Sequence, residues 1–162
     1  MVGCFLNLLL VGAMTWHFFP QTEHLLMMAS FGSSAILLMT VPEIITAQPW
    51  PAVMGHVVAA LVGIFIRQNI PLPHFIELPM AVSLALLLMF MTKSLHPPAG
   101  GTAIMALNVE GTLAEYSYGL AFFPIAAGMI ILVALSTLYL NFVVGRRYPS
   151  RQSYSTVSVD KK

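Results

Sequence analysis

The stretch Lys93-Ser94-Leu95-His96-Pro97-Pro98-Ala99-Gly100-Gly101-Thr102-Ala103 holds the densest chemistry in the chain. Tandem prolines cannot sit inside a helix, but proline suits a first turn, where its missing amide hydrogen would have gone unpaired anyway. The spacing therefore predicts a helix beginning near Pro97 or Pro98. Its first amides, with the approachable backbone of Gly100 and Gly101 and the hydroxyl of Thr102, would form a place of partial positive charge. Lys93 and His96 stand just before it. Donors, a helix dipole and a fixed cation together favour an anion, against the commoner role of a membrane-end lysine, which is to snorkel toward water.

A second cluster, Ser30 to Ala35, offers Gly32 with the hydroxyls of Ser33 and Ser34. Small residues of this kind also let membrane helices pack closely. The two clusters match when the chain is slid against itself by 68 residues. Phe31-Gly32-Ser33-Ser34-Ala35-Ile36 then lies over Ala99-Gly100-Gly101-Thr102-Ala103-Ile104. Each run is followed by a polar stretch with an acidic residue, Glu43 or Glu110, whose default is a solvated loop carboxylate, as for Glu115. His56, inside an apolar segment, is expected to hydrogen-bond across the bundle or to line a path. The other histidines are scattered and form no i, i+4 ligand pair, so no metal is expected. His17 and His24, near Trp16, read as interfacial. Cys4 is the single cysteine, which excludes an internal disulfide. Without a nucleophile elbow, a phosphate loop or a dinucleotide fingerprint, neither an enzyme nor a cofactor is expected.

The elements that must position these residues lie in lipid. Hydrophobic residues make up 58% of the chain and charged residues only 8%, against ~25% charged in an average soluble domain. The basic residues gather near the end, at Arg146, Arg147, Arg151, Lys161 and Lys162, which reads as a topology signal rather than a nucleic-acid surface. Four long apolar segments are expected to cross: Val2 to Phe19, Pro51 to Ile66, Leu78 to Met91 and Gly119 to Val144. Two shorter ones, Leu25 to Val41 and Pro97 to Val109, carry Gly, Ser and Thr at their centres and are expected to be interrupted. Interrupted backbone in lipid must find partners in protein or water, and in transporters it marks the binding site.

The fold class expected is thus all-α, a polytopic membrane bundle at residues 1–149 with a two-fold internal repeat. Its halves run about 2–67 and 78–144, and a polar tail at 150–162 is expected to be disordered. Four crossings result if the interrupted segments dip and return, six if they span, and only the six-crossing arrangement makes the halves inverted. Both counts are even, so both termini are expected on the cytoplasmic side, where the basic residues put the C-terminus.

Three stretches carry a family resemblance: His96-Pro97-Pro98; Phe31 to Ala35 running on through Val41-Pro42 to Ala47-Gln48-Pro49, with Gly55-His56 beyond; and Asn141 to Arg147-Tyr148-Pro149. In this order they resemble the HPP family of integral membrane proteins and cover nearly the whole chain. The resemblance implies a helical membrane protein of about four spans suspected of transport, with members in cyanobacteria and chloroplasts implicated in nitrite movement. The expected function is transport of a small inorganic anion, nitrite favoured, by a bundle that could assemble as a homo-oligomer. The residues expected to hold the anion are Lys93, His96, Pro97, Pro98, Gly100, Gly101, Thr102, Gly32, Ser33, Ser34 and His56. The rival expectations are a passive channel and a non-transporting scaffold or sensor subunit. The membrane is a cell membrane, or a chloroplast envelope if the protein is plastid-derived.

Overall fold

A computed structural model describes residues 2–16, 21–109 and 117–150. Glu110, Glu115, His17 and residues 151–162 of the expected tail lie outside the described residues.

Six helices account for the bundle: α1 (Val2–Thr15), α2 (Gln21–Thr40), α3 (Pro49–Asn69), α4 (His74–Met91), α5 (Gly100–Leu107) and α6 (Ala127–Leu138). No strand occurs among the described residues. Three spans are long and apolar enough to cross a bilayer: α3, α4 and the continuous segment Ser117–Val144 that contains α6. The first apolar run yields a helix of 14 residues, shorter than the ~20 a crossing needs.

Proline and glycine punctuate these elements. Pro49 and Pro51 open α3, and Pro97 and Pro98 form a single 3-10 turn, Pro97–Ala99, that leads into α5. The helix expected at Pro97 or Pro98 is therefore present. The α6 span enters through a 3-10 turn at Ser117–Ala121, has non-helical backbone at Phe123, and stops where Gly145 turns left-handed at φ 75°. Left-handed backbone is where glycine carries no Cβ penalty.

Contacts at the helix ends fix alternating directions. One face of the bundle gathers the start of α1, the end of α2 and the end of the α6 span, around Gly3, Thr40 and Val144. The start of α3 and the end of α4 join them through the Trp50 indole, which donates to the Thr92 carbonyl at 3.4 Å. The opposite face gathers His74, bonded to Asn108 at 2.8 Å, Arg67, bonded to the Val109 carbonyl, and Gln68, bonded to Ser117. The segment after α4 enters as extended chain, becomes helical at Pro97 and reaches the far face at Asn108. Six crossings result, three per half, so the halves run in opposite senses.

Of the two segments expected to be interrupted, one is. α2 runs unbroken for 20 residues, because its serines satisfy themselves inside the helix: Ser33 Oγ donates to the Ala29 carbonyl at 3.0 Å and Ser34 Oγ reaches the Ser30 carbonyl at 3.1 Å. Gly32 meets nothing within 4 Å in the direction of a Cβ, so it neither breaks the helix nor packs it.

α3 and α5 form the centre. The α3 span is 67% buried and α4 only 17%, so α4 supplies mostly lipid-facing surface, including Phe75, Leu87 and Phe90. One apolar cluster joins Met27, Phe31 and Leu38 to Ile64, Met105, Met129 and Leu132, and a second joins the opposite side of α3 to Ala81, Ala85 and Ala103. α5 lies close on α3 at Gly63, where a Cβ would run into the Ala103 carbonyl. Close packing through small residues is real here, though it uses Gly55 and Gly63 rather than Gly32.

Candidate functional site

Where α2, α3 and α5 meet, five side chains form a buried polar cluster. Ser30 and Ser34 come from α2, His56 from α3, His96 from the chain entering α5, and Thr102 from α5 itself. His56, His96, Ser34 and Thr102 have no exposed surface. Buried polar groups persist only when bonded, and each of these is. His96 Nδ1 donates to the Thr46 carbonyl at 2.7 Å, and its Nε2 meets Ser34 Oγ at 2.9 Å. Ser34 Oγ also meets His56 Nε2 at 2.9 Å, and His56 Nδ1 meets Thr102 Oγ1 at 2.6 Å. Thr102 Oγ1 lies 3.0 Å from Ser30 Oγ, which donates to the Pro98 carbonyl at 2.7 Å. The edge of the His56 ring stands on Phe31, ring centroids 5.2 Å apart, so the cluster is walled by apolar core.

Local sequence explains each placement. Ser30 and Ser34 are four apart and share one side of α2. Gly55, beside His56, leaves the space that His96 fills: a Cβ there would lie 2.8 Å from both His96 Cβ and the Ser94 carbonyl oxygen. Pro97 and Pro98 have no N–H, so the Pro98 carbonyl at the start of the turn is free to accept from Ser30.

Beside this cluster a groove of about 320 Å³ is lined by Leu26, Ala29, Ser30, Ser33, Pro97, Pro98, Gly101 and Ile104. Gly101 opens it, since a Cβ there would come within 3.1 Å of Ser30 Cβ. Ser30 is the residue common to groove and cluster.

The expected site residues thus fall into three groups. Ser34, His56, His96 and Thr102 are brought together in the buried cluster, and Ser33, Pro97, Pro98 and Gly101 line the groove. Gly32, Gly100 and Lys93 join neither. The Gly100 amide closes the turn on the Pro97 and Pro98 carbonyls and is spent there. Lys93 is exposed in the turn after α4. Its φ is 54°, a left-handed conformation that costs a non-glycine residue about 1–2 kcal/mol. There it occupies the first position past the helix cap, with Ser94 N–H donating to the Met89 carbonyl at 2.8 Å.

Two features escaped the motif reading. Thr46, in the 3-10 turn Ile45–Ala47, supplies the carbonyl that orients His96. That turn is held by the C-terminal strap: the Tyr148 hydroxyl donates to the Ala47 carbonyl at 2.7 Å, Gln48 Oε1 accepts from Ser150 N–H at 2.9 Å, and Asn141 clamps the Tyr148 backbone from both sides. Burial raises the Tyr148 phenol above its ordinary pKa of 10.0. The signal was in the residues that carried the resemblance, Ala47-Gln48-Pro49 and Tyr148-Pro149, which the fold brings together. Glu43 pairs at the surface with Arg146, 3.7 Å away, and the described residues contain no group of three or more His, Cys, Asp or Glu able to hold a metal.

The model of the HPP transmembrane region matches residues 1–149. Two transmembrane proteins of Dictyostelium discoideum are similar to the chain. One is 32% identical over 152 residues, covering 91% of this chain and 48% of its own length. The other is 35% identical over 127 residues, covering 76% of this chain and 44% of its own. The chain therefore spans about half the length of these curated relatives. No solved structure matches it.

Proposed function

Since the chain belongs to the HPP transmembrane family, and is on that ground a membrane protein, we propose that it moves a small inorganic anion across the bilayer, nitrite being the favoured substrate, with the groove between α2 and α5 as the anion's seat. The observation that carries this reading is a hydroxyl- and imidazole-rich cluster at the centre of an otherwise apolar bundle, opening at Ser30 onto a groove. Polar groups at that depth are expensive and mark substrate paths more often than packing. Ser30 and Ser33 offer hydroxyls to the anion, and Gly101 lets the backbone approach it. Lys93, held in strained backbone at the face where α4 ends, raises the local anion concentration. Strain persists where the surroundings over-determine it, which is a mark of functional positions.

Purified protein in liposomes, offered nitrite, nitrate, formate and chloride separately, tests the reading. Protein-dependent uptake of at least one anion is expected, reduced by Ser30→Val and by Lys93→Gln. A protein that transports none of them in either direction is not an anion carrier. The tight seat of α5 on Gly63 favours a second reading, a non-transporting membrane scaffold. Under it, Ser30→Val changes nothing while Gly63→Leu breaks assembly.

A further inference from the structure

Hydrogen-bond bookkeeping in the buried cluster carries one step more, and it rests on the anion-transport reading. Seven contacts link the five side chains to one another and to the carbonyls of Thr46, Ser30 and Pro98. Each contact needs one proton. A carbonyl only accepts, so His96 Nδ1 must carry hydrogen toward Thr46. With both imidazoles neutral, the two rings supply one N–H each and the three hydroxyls one O–H each, which leaves two contacts without a proton.

Adding one proton to His96 repairs the chain in a single direction. His96 then donates to Thr46 and to Ser34, Ser34 to His56 Nε2, His56 Nδ1 to Thr102, Thr102 to Ser30, and Ser30 to the Pro98 carbonyl. Only the contact from Ser34 to the Ser30 carbonyl is then unfilled. The cluster is better satisfied with the extra proton than without it, and the far end of the relay, Ser30, is the residue that also lines the groove.

A cation there lacks a resident counter-ion. No carboxylate among the described residues hydrogen-bonds to the cluster. The other titratable groups of the surrounding elements lie elsewhere: His24 of α2 is beside Gly12, Arg67 of α3 reaches the Val109 carbonyl, and His74 and Glu77 of α4 pair with each other. Glu43 pairs with Arg146, Tyr148 bonds to Ala47, Lys93 is exposed, and α5 has no titratable side chain. An uncompensated charge in a lipid-embedded interior is costly, so the proton and an anion stabilise each other. We propose that His56 and His96, joined through Ser34, form a proton-binding relay loaded together with the anion in the adjacent groove, so that one proton crosses with each monovalent anion. The proton leaves through Ser30 as the anion leaves the groove, and no net charge moves.

Liposomes holding the purified protein separate this from its alternatives, with potassium nitrite as probe, protein-free vesicles as blank, and valinomycin to set the membrane potential. Coupled movement predicts about tenfold nitrite accumulation for each unit of outside-acid pH gradient, independent of the potential. His96→Asn keeps a donor toward Thr46 and carries no extra proton, so it is expected to abolish that accumulation. Ser34→Ala, which cuts the relay and leaves both imidazoles, is expected to do the same, and size-exclusion profiles identify whichever variant folds. Accumulation that follows the potential and ignores pH overturns the coupling and leaves the anion reading standing. Full pH-driven accumulation in either folded variant overturns the relay. Absence of any protein-dependent uptake removes both.

Discussion

Ser34→Ala would orphan two imidazole nitrogens at once, since the Ser34 hydroxyl is the partner of both His56 and His96. Each buried unsatisfied group costs about 1–3 kcal/mol, whereas interhelical hydrogen bonds in membranes average about 0.6 kcal/mol. A thermal-stability loss nearer the first figure is expected, because no other described hydroxyl reaches either Nε2. Two glycines give opposite forecasts. Gly55→Ala pushes a Cβ into His96 and the Ser94 carbonyl and is expected to lose both stability and uptake. Gly32→Ala points into open space and is expected to be neutral or stabilising by about 0.5–1 kcal/mol, since glycine is a poor helix residue. Lys93→Gly relieves the left-handed strain, so melting should rise by the equivalent of about 1 kcal/mol while uptake falls. Unchanged uptake in that variant would return Lys93 to a snorkelling role. The sequence named most of these residues but could not sort them. Small size made Gly32 and Gly55 look alike, and only the path of the neighbouring chain tells an open face from a filled one.

Among the elements, α5 and the C-terminal strap set the geometry. The Pro97–Ala99 turn was readable because proline chemistry is local. The continuity of α2 was not, because serine in lipid can either break a helix or bond back to the preceding turn, and the back-bonds of Ser33 and Ser34 decide it. The strap that holds the Ile45–Ala47 turn joins residues about a hundred apart in sequence, a pairing no local pattern reveals. Tyr148→Phe removes the bond to Ala47 and is expected to cost about 1 kcal/mol and to loosen His96 through Thr46. The phenol's raised pKa means that the folded strap holds its proton more tightly than the unfolded chain does. Its contribution is therefore complete below pH 10.0 and lost as pH climbs above it. Alkaline melting curves should show that added loss in wild type and lack it in Tyr148→Phe.

At the scale of the molecule, the 68-residue repeat and the alternating path agree. Ser30 and Pro98, one repeat apart, touch each other, and Ser34 and Thr102, also one repeat apart, both bond to His56. Equivalent residues meeting at one place is what an inverted pair of halves produces where they cross. Composition was enough to place the chain in a membrane. The number of crossings was not, because the segment around Pro97 is half extended and half helical, and apolar length alone cannot separate a dip from a crossing. Single cysteines on a Cys4→Ser background settle it in sealed vesicles. Lys93→Cys and Ser150→Cys should react with an impermeant thiol reagent from one side and Gln68→Cys from the other, and labelling of all three from one side would refute six crossings. The central claim, that the groove between α2 and α5 is a watery seat for an anion, is reached most directly at Ser33. In the same background, Ser33→Cys is expected to react with a water-soluble thiol reagent and to react several-fold more slowly as nitrite is added. A Ser33→Cys that reacts only with lipid-soluble reagents, or at one rate whatever anion is present, would contradict it.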